Sequence, residues 1–147
     1  MAGNYEIITV RDSLYLNWRY IECPLTEYKI FAVVDGGLVK GYMVLSCEEG
    51  DFLRGNIVDI LVSPSEHQIA ELLVQKAISY FSDLGAAVIG CWQLEHHSMF
   101  SILNKNGFIK RKKQNNFVVR SYVPDMPTEY FLDKKKWFFN MGDTDYY

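Results

Sequence analysis

The sequence lacks the features of a membrane protein, a secreted protein and a structural metal site. No apolar run reaches the ~18 residues that a spanning helix needs. The N-terminal MAGNYEIITVRD has no basic start followed by an apolar core, so we expect no signal peptide. The three cysteines, Cys23, Cys47 and Cys91, contain no C-x-x-C pair, which argues against a zinc site or a disulfide framework. We expect a soluble, cytoplasmic protein with reduced thiols and no membrane partner.

An excess of positive charge is also absent. Fifteen lysines and arginines stand against 18 acids, so the net charge is −3 and no general field attracts nucleic acid. The basic runs at 110–113 and 134–136 are typical of hairpin tips and sheet edges, where lysine resists pairing with other chains. Glu95, His96 and His97 are adjacent at a helix start and do not converge on one ion. We predict no nucleic-acid partner and no bound metal.

The chain carries enough apolar residues for a sizeable core. It is 49% hydrophobic and 15% aromatic, which excludes a disordered chain and indicates a ring-lined core or groove. No repeat or Gly/Ser/Pro-rich linker divides it. We therefore expect one domain over 1–147, with an aromatic tail from about residue 124.

The hydrophobic pattern predicts an α+β fold. Two β-rich runs flank the Asp-Gly-Gly turn at 35–37, which indicates an antiparallel hairpin. In the first half of the chain we expect a helix over 11–21 with Trp18 in the core, the two hairpin strands, a central strand at 55–62 and a helix over 65–84. In the second half we expect a buried strand at 86–92, a helix over 96–107, a hairpin over 107–123 and a short strand at 137–139. This order gives one mainly antiparallel mixed sheet flanked by helices, with a single strand–helix–strand crossover after ILVSPSEHQ.

The strand ending in V-x-P before a helix, and a later helix running into NKNGF, resemble the GNAT superfamily of acyl-CoA N-acyltransferases over roughly residues 12–123. The resemblance implies acetyl-CoA as the cofactor. It implies that the backbone near Leu61 and Val62 pairs with the pantetheine arm. It also implies that the start of the following helix, with Ser65, His67, Gln68 and Ile69, holds the pyrophosphate, since a helix N-terminus favours an anion.

Two departures from the family pattern stand out. The loop SPSEHQ has no glycine, and it places Glu66 where its charge repels a phosphate; Ser63 or Ser65 followed by an acid is also ordinary helix-capping chemistry. Leu103 lies where many family members have a tyrosine that protonates the departing thiolate. Tyr80, Tyr122 and Cys91 remain open as substitutes.

Asp59 is the residue best suited to chemistry. It alternates with Ile57 and Leu61 on one face of an apolar strand, and a buried carboxylate must be paired, hydrogen-bonded or protonated. It is either a general base toward an acceptor amine or half of a structural ion pair with Arg19 or Arg54. Arg19, whose forked guanidinium fits a carboxylate, and its neighbour Tyr20 are the candidate substrate-binding residues.

A narrower resemblance comes from NWRYIECP, YKIF and W…GDTD, which look like the C-terminal half of tandem GNAT-like acyltransferases. In those proteins the N-terminal half carries the glycine-bearing coenzyme A loop. The resemblance implies a degenerate half, cut from a longer protein with an N-terminal GNAT partner domain, that supports the fold and the pocket of a small-molecule or peptide amine. Two alternatives stay open: a self-contained N-acetyltransferase, and a non-catalytic binding module with an aromatic groove. The oligomeric state stays open as well.

Overall fold

The computed structural model describes residues 5–111, 120, 122–124 and 126–144. Its elements, in chain order, are α1 (Ser13–Leu16), a π-helical turn (Asn17–Ile21), β1 (Lys29–Asp35), β2 (Leu38–Glu48), β3 (Arg54–Val62), α2 (His67–Asp83), β4 (Val88–Cys91), α3 (Ser98–Lys105), α4 (Thr128–Leu132) and two 3₁₀ turns (Lys134–Lys136 and Met141–Asp143). Within this part of the chain, no helix is both long enough and apolar enough to cross a bilayer.

The four strands form one mixed sheet in the order β1-β2-β3-β4. The first three strands are antiparallel neighbours, and β4 joins β3 in parallel after the α2 crossover. Gly36 and Gly37 form the hairpin turn with φ of 56° and 77°, a region that glycine adopts without strain. The prediction of an α+β fold built on one mainly antiparallel sheet is confirmed, and β3 is central in this sheet as expected.

Each face of the sheet packs against a different part of the chain. One face carries the larger core, to which α2 and α3 contribute Val74, Phe81 and Leu103 among other buried side chains. The opposite face carries a smaller core that includes Tyr20 and Phe138. The segments at the two chain ends therefore meet on the face away from α2.

A β-bulge in the β2–β3 pair changes the predicted faces of β3. Val44 lies opposite Asp59, whereas Leu45 lies opposite Ile57, so Val58 has no partner of its own. Because one extra residue reverses the alternation of a strand, Ile57 packs in the core under α2 while Asp59 turns to the opposite face. The prediction that these two side chains share a face is wrong, and the bulge is the reason.

The first helix also differs from the expectation. Asp12 caps α1 by accepting a hydrogen bond from the Tyr15 N–H at 2.8 Å, but the helix changes after four residues into a π-helical turn, closed by the bond from Glu22 N–H to the Asn17 carbonyl. The wider turn rotates Tyr20 into the core. Trp18, predicted to be buried, is 61% exposed.

Several smaller predictions differ from the structure or lie mostly outside the described residues. The helix α2 starts at His67, with Glu66 rather than Ser63 or Ser65 at the N-cap, and the Glu66 side chain makes no capping hydrogen bond. The strand β4 is only partly buried. The predicted strand at 137–139 is a single parallel bridge between Trp137 and Ile7. Most of the predicted hairpin over 107–123 lies outside the described residues.

We predict that Gly55→Ala destabilises the protein by about 2 kcal/mol, because overpacking a rigid core forces the neighbours to shift. A Cβ at Gly55 would lie 2.5 Å from Cδ1 of Phe81, which is fully buried and cannot move aside. The matched control is Gly50→Ala, since a Cβ there meets nothing within 4 Å. Urea unfolding measures both variants; equal stability of the two would contradict the packing of α2 on β3.

Candidate functional site

The predicted acyl-CoA cleft lies where β3 continues beyond β4. The parallel pairing joins residues 54–57 of β3 to residues 88–91. The strand then runs on to Val62, while the chain after Cys91 turns away toward α3. The edge of β3 from Val58 to Val62 thus has no strand partner on the β4 side within the described residues. This wedge is where the resemblance places the pantetheine arm.

The wedge is filled by the two ends of the protein's own chain. Tyr5 donates its hydroxyl hydrogen to the Val62 carbonyl at 3.2 Å, and Asn140 Nδ2 donates to the Ile60 carbonyl at 3.2 Å. The terminal segments also bind each other, because Ile7 N–H donates to the Lys136 carbonyl at 3.0 Å and Phe138 N–H donates to the Ile7 carbonyl at 2.9 Å. We call residues 5–11 and 136–143 the terminal clasp.

An aromatic cluster closes the mouth of the wedge beside the clasp. The ring of Tyr5 lies 4.5 Å from that of Phe138 and 5.2 Å from that of His97, and the last two rings are 5.0 Å apart. The cavity between these rings, the loop at 63–67 and the start of α3 measures about 10 Å³. A cavity of that size holds about one water molecule. An acyl-CoA arm does not fit there while the clasp is in place.

The predicted cofactor-binding residues divide into a buried and an exposed group. Leu61 and Val62 are 2% and 5% exposed. The Leu61 carbonyl faces β2, since a Cβ at Gly41 would lie 3.4 Å from it. The residues at the α2 N-terminus reach solvent more readily: Ser65, His67 and Gln68 are exposed and Ile69 is half-buried.

The N-terminus of α2 carries only some features of an anion site. The first N–H groups of a helix have no carbonyl partner in a preceding turn. In α2, the Ala70 N–H donates to the Glu66 carbonyl at 3.1 Å. However, Glu66 occupies the N-cap, where its carboxylate competes for the favourable end of the helix dipole. Among the described residues, no group of three or more His, Cys, Asp or Glu side chains is arranged to hold a metal ion.

Asp59 is fully buried and bound by four side chains. It accepts hydrogen bonds from Arg11 Nε at 3.1 Å, Tyr42 Oη at 2.9 Å, Tyr20 Oη at 3.4 Å and Asn140 Nδ2 at 2.6 Å. The prediction of an ion pair at Asp59 is confirmed, but both predicted partners, Arg19 and Arg54, are wrong. Arg11 lies on the N-terminal segment, which packs against the face of β3 that carries Asp59. The periodicity of the sequence does not indicate such a contact between distant segments.

The other predicted arginines have different partners. Arg19 Nη2 donates to the Thr144 carbonyl at 2.7 Å, and Arg54 lies over the Phe52 ring at 5.8 Å. Arg19 therefore holds the C-terminal segment. Tyr20, the second candidate substrate-binding residue, lies between Asp59 and a surface groove of about 370 Å³ that is lined by residues 20–28 except Glu22.

Burial and the negative charge of Asp59 together keep its neighbours Tyr20 and Tyr42 protonated, and nearby carboxylates keep Arg11 protonated against the effect of burial. Burial tends to lower the pKa of Arg11, but the carboxylates of Asp59 and Asp143 raise it well above its ordinary value. Burial, and then the charge of Asp59, raise the pKa of Tyr20 and Tyr42. A carboxylate has about four acceptor sites, and these donors occupy them. The arrangement therefore favours a structural role for Asp59.

The candidate proton donors lie away from the wedge or are hard to ionise. Leu103 is a buried core residue. Tyr80 packs against the rings of Phe31 and Phe81, Tyr122 is 78% exposed, and burial raises the pKa of the Cys91 thiol to about 12. Tyr5, whose pKa is raised to about 12 by burial, is the tyrosine found at the wedge, and no pattern in the sequence pointed to it.

Comparison with protein-family models and with curated proteins finds no match. Solved structures do match. A putative acetyltransferase from Pyrococcus furiosus is 17% identical over 64% of this chain and 67% of that chain, with a TM-score of 0.56. An aminoglycoside acetyltransferase from an uncultured soil metagenomic sample is 18% identical over 76% and 77%, with a TM-score of 0.54. An aminoglycoside N-acetyltransferase in complex with coenzyme A is 11% identical over 74% and 85%, with a TM-score of 0.53.

These similarities establish the fold. At such low identity they carry no information on substrate. The mixed sheet with its flanking helices is the GNAT acetyltransferase fold.

We predict that Asp59→Asn lowers the free energy of unfolding by about 3 kcal/mol, because removing one member of a buried ion pair leaves the other charge undercompensated. Arg11 and Asp59 are almost wholly buried. Asp83→Asn on the exposed end of α2 is the control for the same chemical change. A stable Asp59→Asn protein that had lost an acetyl-transfer activity would instead indicate the general-base role.

We predict that His97 makes the protein less stable in mild acid. Burial, and to a smaller extent His96, lower the pKa of His97 to about 4. The unfolded chain takes up this proton near pH 6.5, so folded stability falls as pH drops from about 7 toward 4. His97→Gln should reduce the stability loss between about pH 7 and pH 5 by roughly 1 kcal/mol, after discounting for partial exposure.

Urea unfolding at the two pH values measures this difference. The exposed His67→Gln variant is the control and should keep the wild-type loss. If His97→Gln also keeps that loss, the histidine is not held neutral by the aromatic cluster.

Proposed function

We propose that this chain is an N-acetyltransferase-type domain whose own acyl-CoA cleft is closed. In this proposal it is a degenerate half of a tandem N-acetyltransferase. It supports the fold and part of the acceptor pocket, while an N-terminal domain of the same fold holds acetyl-CoA. The observation that supports the proposal most is the terminal clasp, which takes the backbone acceptors of Ile60 and Val62 and leaves about 10 Å³ at the mouth of the wedge.

Three further observations support the degenerate interpretation. The loop before α2 has no glycine and places Glu66 at the N-cap. The position expected for the thiolate-protonating tyrosine is Leu103, a core residue. The carboxylate of Asp59 is saturated by protein donors, so deprotonating an amine would require breaking the clasp.

The groove lined by residues 20–28 is the acceptor pocket in this proposal. Its lining includes the rings of Tyr20 and Tyr28 and the carboxylate of Glu27. Aromatic faces and a carboxylate favour a protonated amine attached to an apolar body. A small-molecule or peptide amine therefore suits this groove.

A self-contained N-acetyltransferase is the second candidate. It is favoured by the exposed N-terminus of α2 and by the coenzyme A bound to one protein of the same fold. In that case the clasp must leave the wedge, Leu61 and Val62 must meet the pantetheine arm, and Asp59 must exchange Arg11 for the acceptor amine. The aromatic binding module has less support, because Trp92 and Trp137 are partly buried.

We predict that the purified chain shows no binding heat with acetyl-CoA or coenzyme A up to millimolar concentration, because the wedge is filled by its own residues. Isothermal titration calorimetry measures this directly. Gln68→Glu and Gln75→Glu are matched variants, since both are exposed on α2 and gain the same charge. Only Gln68 lies at the helix N-terminus. Micromolar binding by the wild type that Gln68→Glu weakens and Gln75→Glu does not would overturn the proposal.

A further inference from the structure

An apolar stripe runs along the outside of the first helix and the following loop. Leu14, Trp18, Ile21 and Leu25 are 79%, 61%, 64% and 90% exposed. The first three are spaced by four and three residues, so they lie above one another on a helical surface. Ile21 and Leu25 both line the groove at 20–28, which joins the stripe to a concave surface.

The local backbone holds these side chains outward. Leu16 and Tyr20 on the same segment pack into the core of the second sheet face, which leaves the opposite side of the helix to solvent. The turn at 17–21 is π-helical, a rare conformation that often occurs at functional sites. The ring of Tyr15 supports Trp18 at a centroid distance of 6.0 Å.

The exposed area exceeds what scattered surface residues require. Four large side chains at these exposures present on the order of 500 Å² of apolar surface, which is near the upper end of the largest patch on a typical monomer and is often functional. This approaches one partner's share of a standard protein interface, roughly 800 Å². The stripe with its polar rim therefore has the size of a small docking surface.

The rim of the stripe is acidic. Asp12, Glu22 and Glu27 are exposed beside it. Between residues 12 and 28 these three acids stand against a single cation, Arg19, which donates a hydrogen bond to the Thr144 carbonyl. Like charges facing each other across an interface oppose association, whereas opposite charges speed and orient it.

This rim argues against a second copy of the chain as the occupant. Twofold pairing of the stripe about Trp18 would bring the acidic rims of two copies together, and between residues 12 and 28 only Arg19 carries the opposite charge. A partner with basic residues around an apolar face would be attracted rather than repelled by this acidic rim. Charge complementarity therefore favours a basic partner over a second copy of the chain.

We propose that the stripe Leu14–Trp18–Ile21–Leu25 is a docking surface for a polypeptide that presents an apolar helical face bordered by lysine or arginine. The leucines and Trp18 supply the apolar contact, and Asp12, Glu22 and Glu27 orient the partner. A bound partner also covers the outer lip of the groove at 20–28. The proposal rests on the exposure and charge of this surface and holds whether or not the domain binds acyl-CoA.

The test uses the full chain and two labelled amphipathic helical peptides. Both carry leucines at i, i+3, i+4 and i+7; one has lysines beside the leucines and the other has glutamates. Fluorescence anisotropy measures binding at two salt concentrations. We expect the lysine peptide to bind at least about tenfold more tightly than the glutamate peptide and to weaken with salt, as screened charge pairs do.

Two sets of protein variants locate the binding site. Leu14→Ser with Leu25→Ser should weaken the lysine peptide about tenfold, and Glu22→Gln with Glu27→Gln should reduce its salt dependence. Leu72→Ser is the matched control, because Leu72 is 56% exposed on α2 at the opposite face of the sheet. All of these residues are exposed, so the fold should survive, and circular dichroism checks it.

Three results would overturn the proposal. One is equal binding of the two peptides, which indicates unspecific apolar adhesion. Another is an equal loss of binding in Leu72→Ser. The third is concentration-dependent dimerisation in sedimentation that Leu14→Ser with Leu25→Ser abolishes, which would make a second copy the occupant. Acetyl-CoA is also titrated calorimetrically into the same variants. Binding of acetyl-CoA would contradict the proposed function, whereas the docking proposal stands or falls on the peptide and sedimentation results alone.

Discussion

The structure depends on the buried ion pair between Arg11 and Asp59. Asp59 is fully buried in the middle of the sheet, and a lone carboxylate there would be strongly unfavourable. Arg11 supplies the opposite charge from the N-terminal segment, and it also binds Asp143 at 2.8 Å. Asn140 from the C-terminal segment donates to Asp59 as well. One buried charge thus draws both ends of the described chain to the same place.

The rest of the terminal clasp follows from that constraint. Once Arg11 and Asn140 meet Asp59, Tyr5 and Phe138 lie beside the unpaired edge of β3. The clasp then satisfies the backbone acceptors of Ile60 and Val62, which would otherwise need another partner. The family resemblance places the acyl-CoA ligand at this edge. Occupation of the edge by the chain's own residues is the main support for the degenerate half that we propose.

The sequence predicted those parts of the fold that depend on local patterns. The Asp-Gly-Gly hairpin, the long helix after ILVSPSEHQ and the apolar strand containing Asp59 all carry a period or a turn signal, and all are present. It did not predict what depends on contacts between distant residues. The bulge at Val58 reversed the face of Ile57, the π-helical turn exposed Trp18, and Arg11 pairs across 48 positions. The hydrophobic periodicity of a sequence reflects local structure and does not indicate contacts between distant residues.

For the candidate site, the family resemblance implied a cleft at Leu61 and Val62, and that assignment stays a prediction. The side chains found beside this edge, Tyr5, Phe138 and Asn140, lie in segments where no sequence pattern indicates such a contact. Hydrogen exchange at the Ile7 and Phe138 amides tests the central claim most directly, because these two amides carry the bonds that join the ends of the chain. If the clasp is a permanent part of the fold, both amides exchange about as slowly as the β2–β3 ladder, and millimolar acetyl-CoA leaves them unchanged. Fast exchange, or exchange accelerated by acetyl-CoA, would mean that the clasp opens to admit the cofactor.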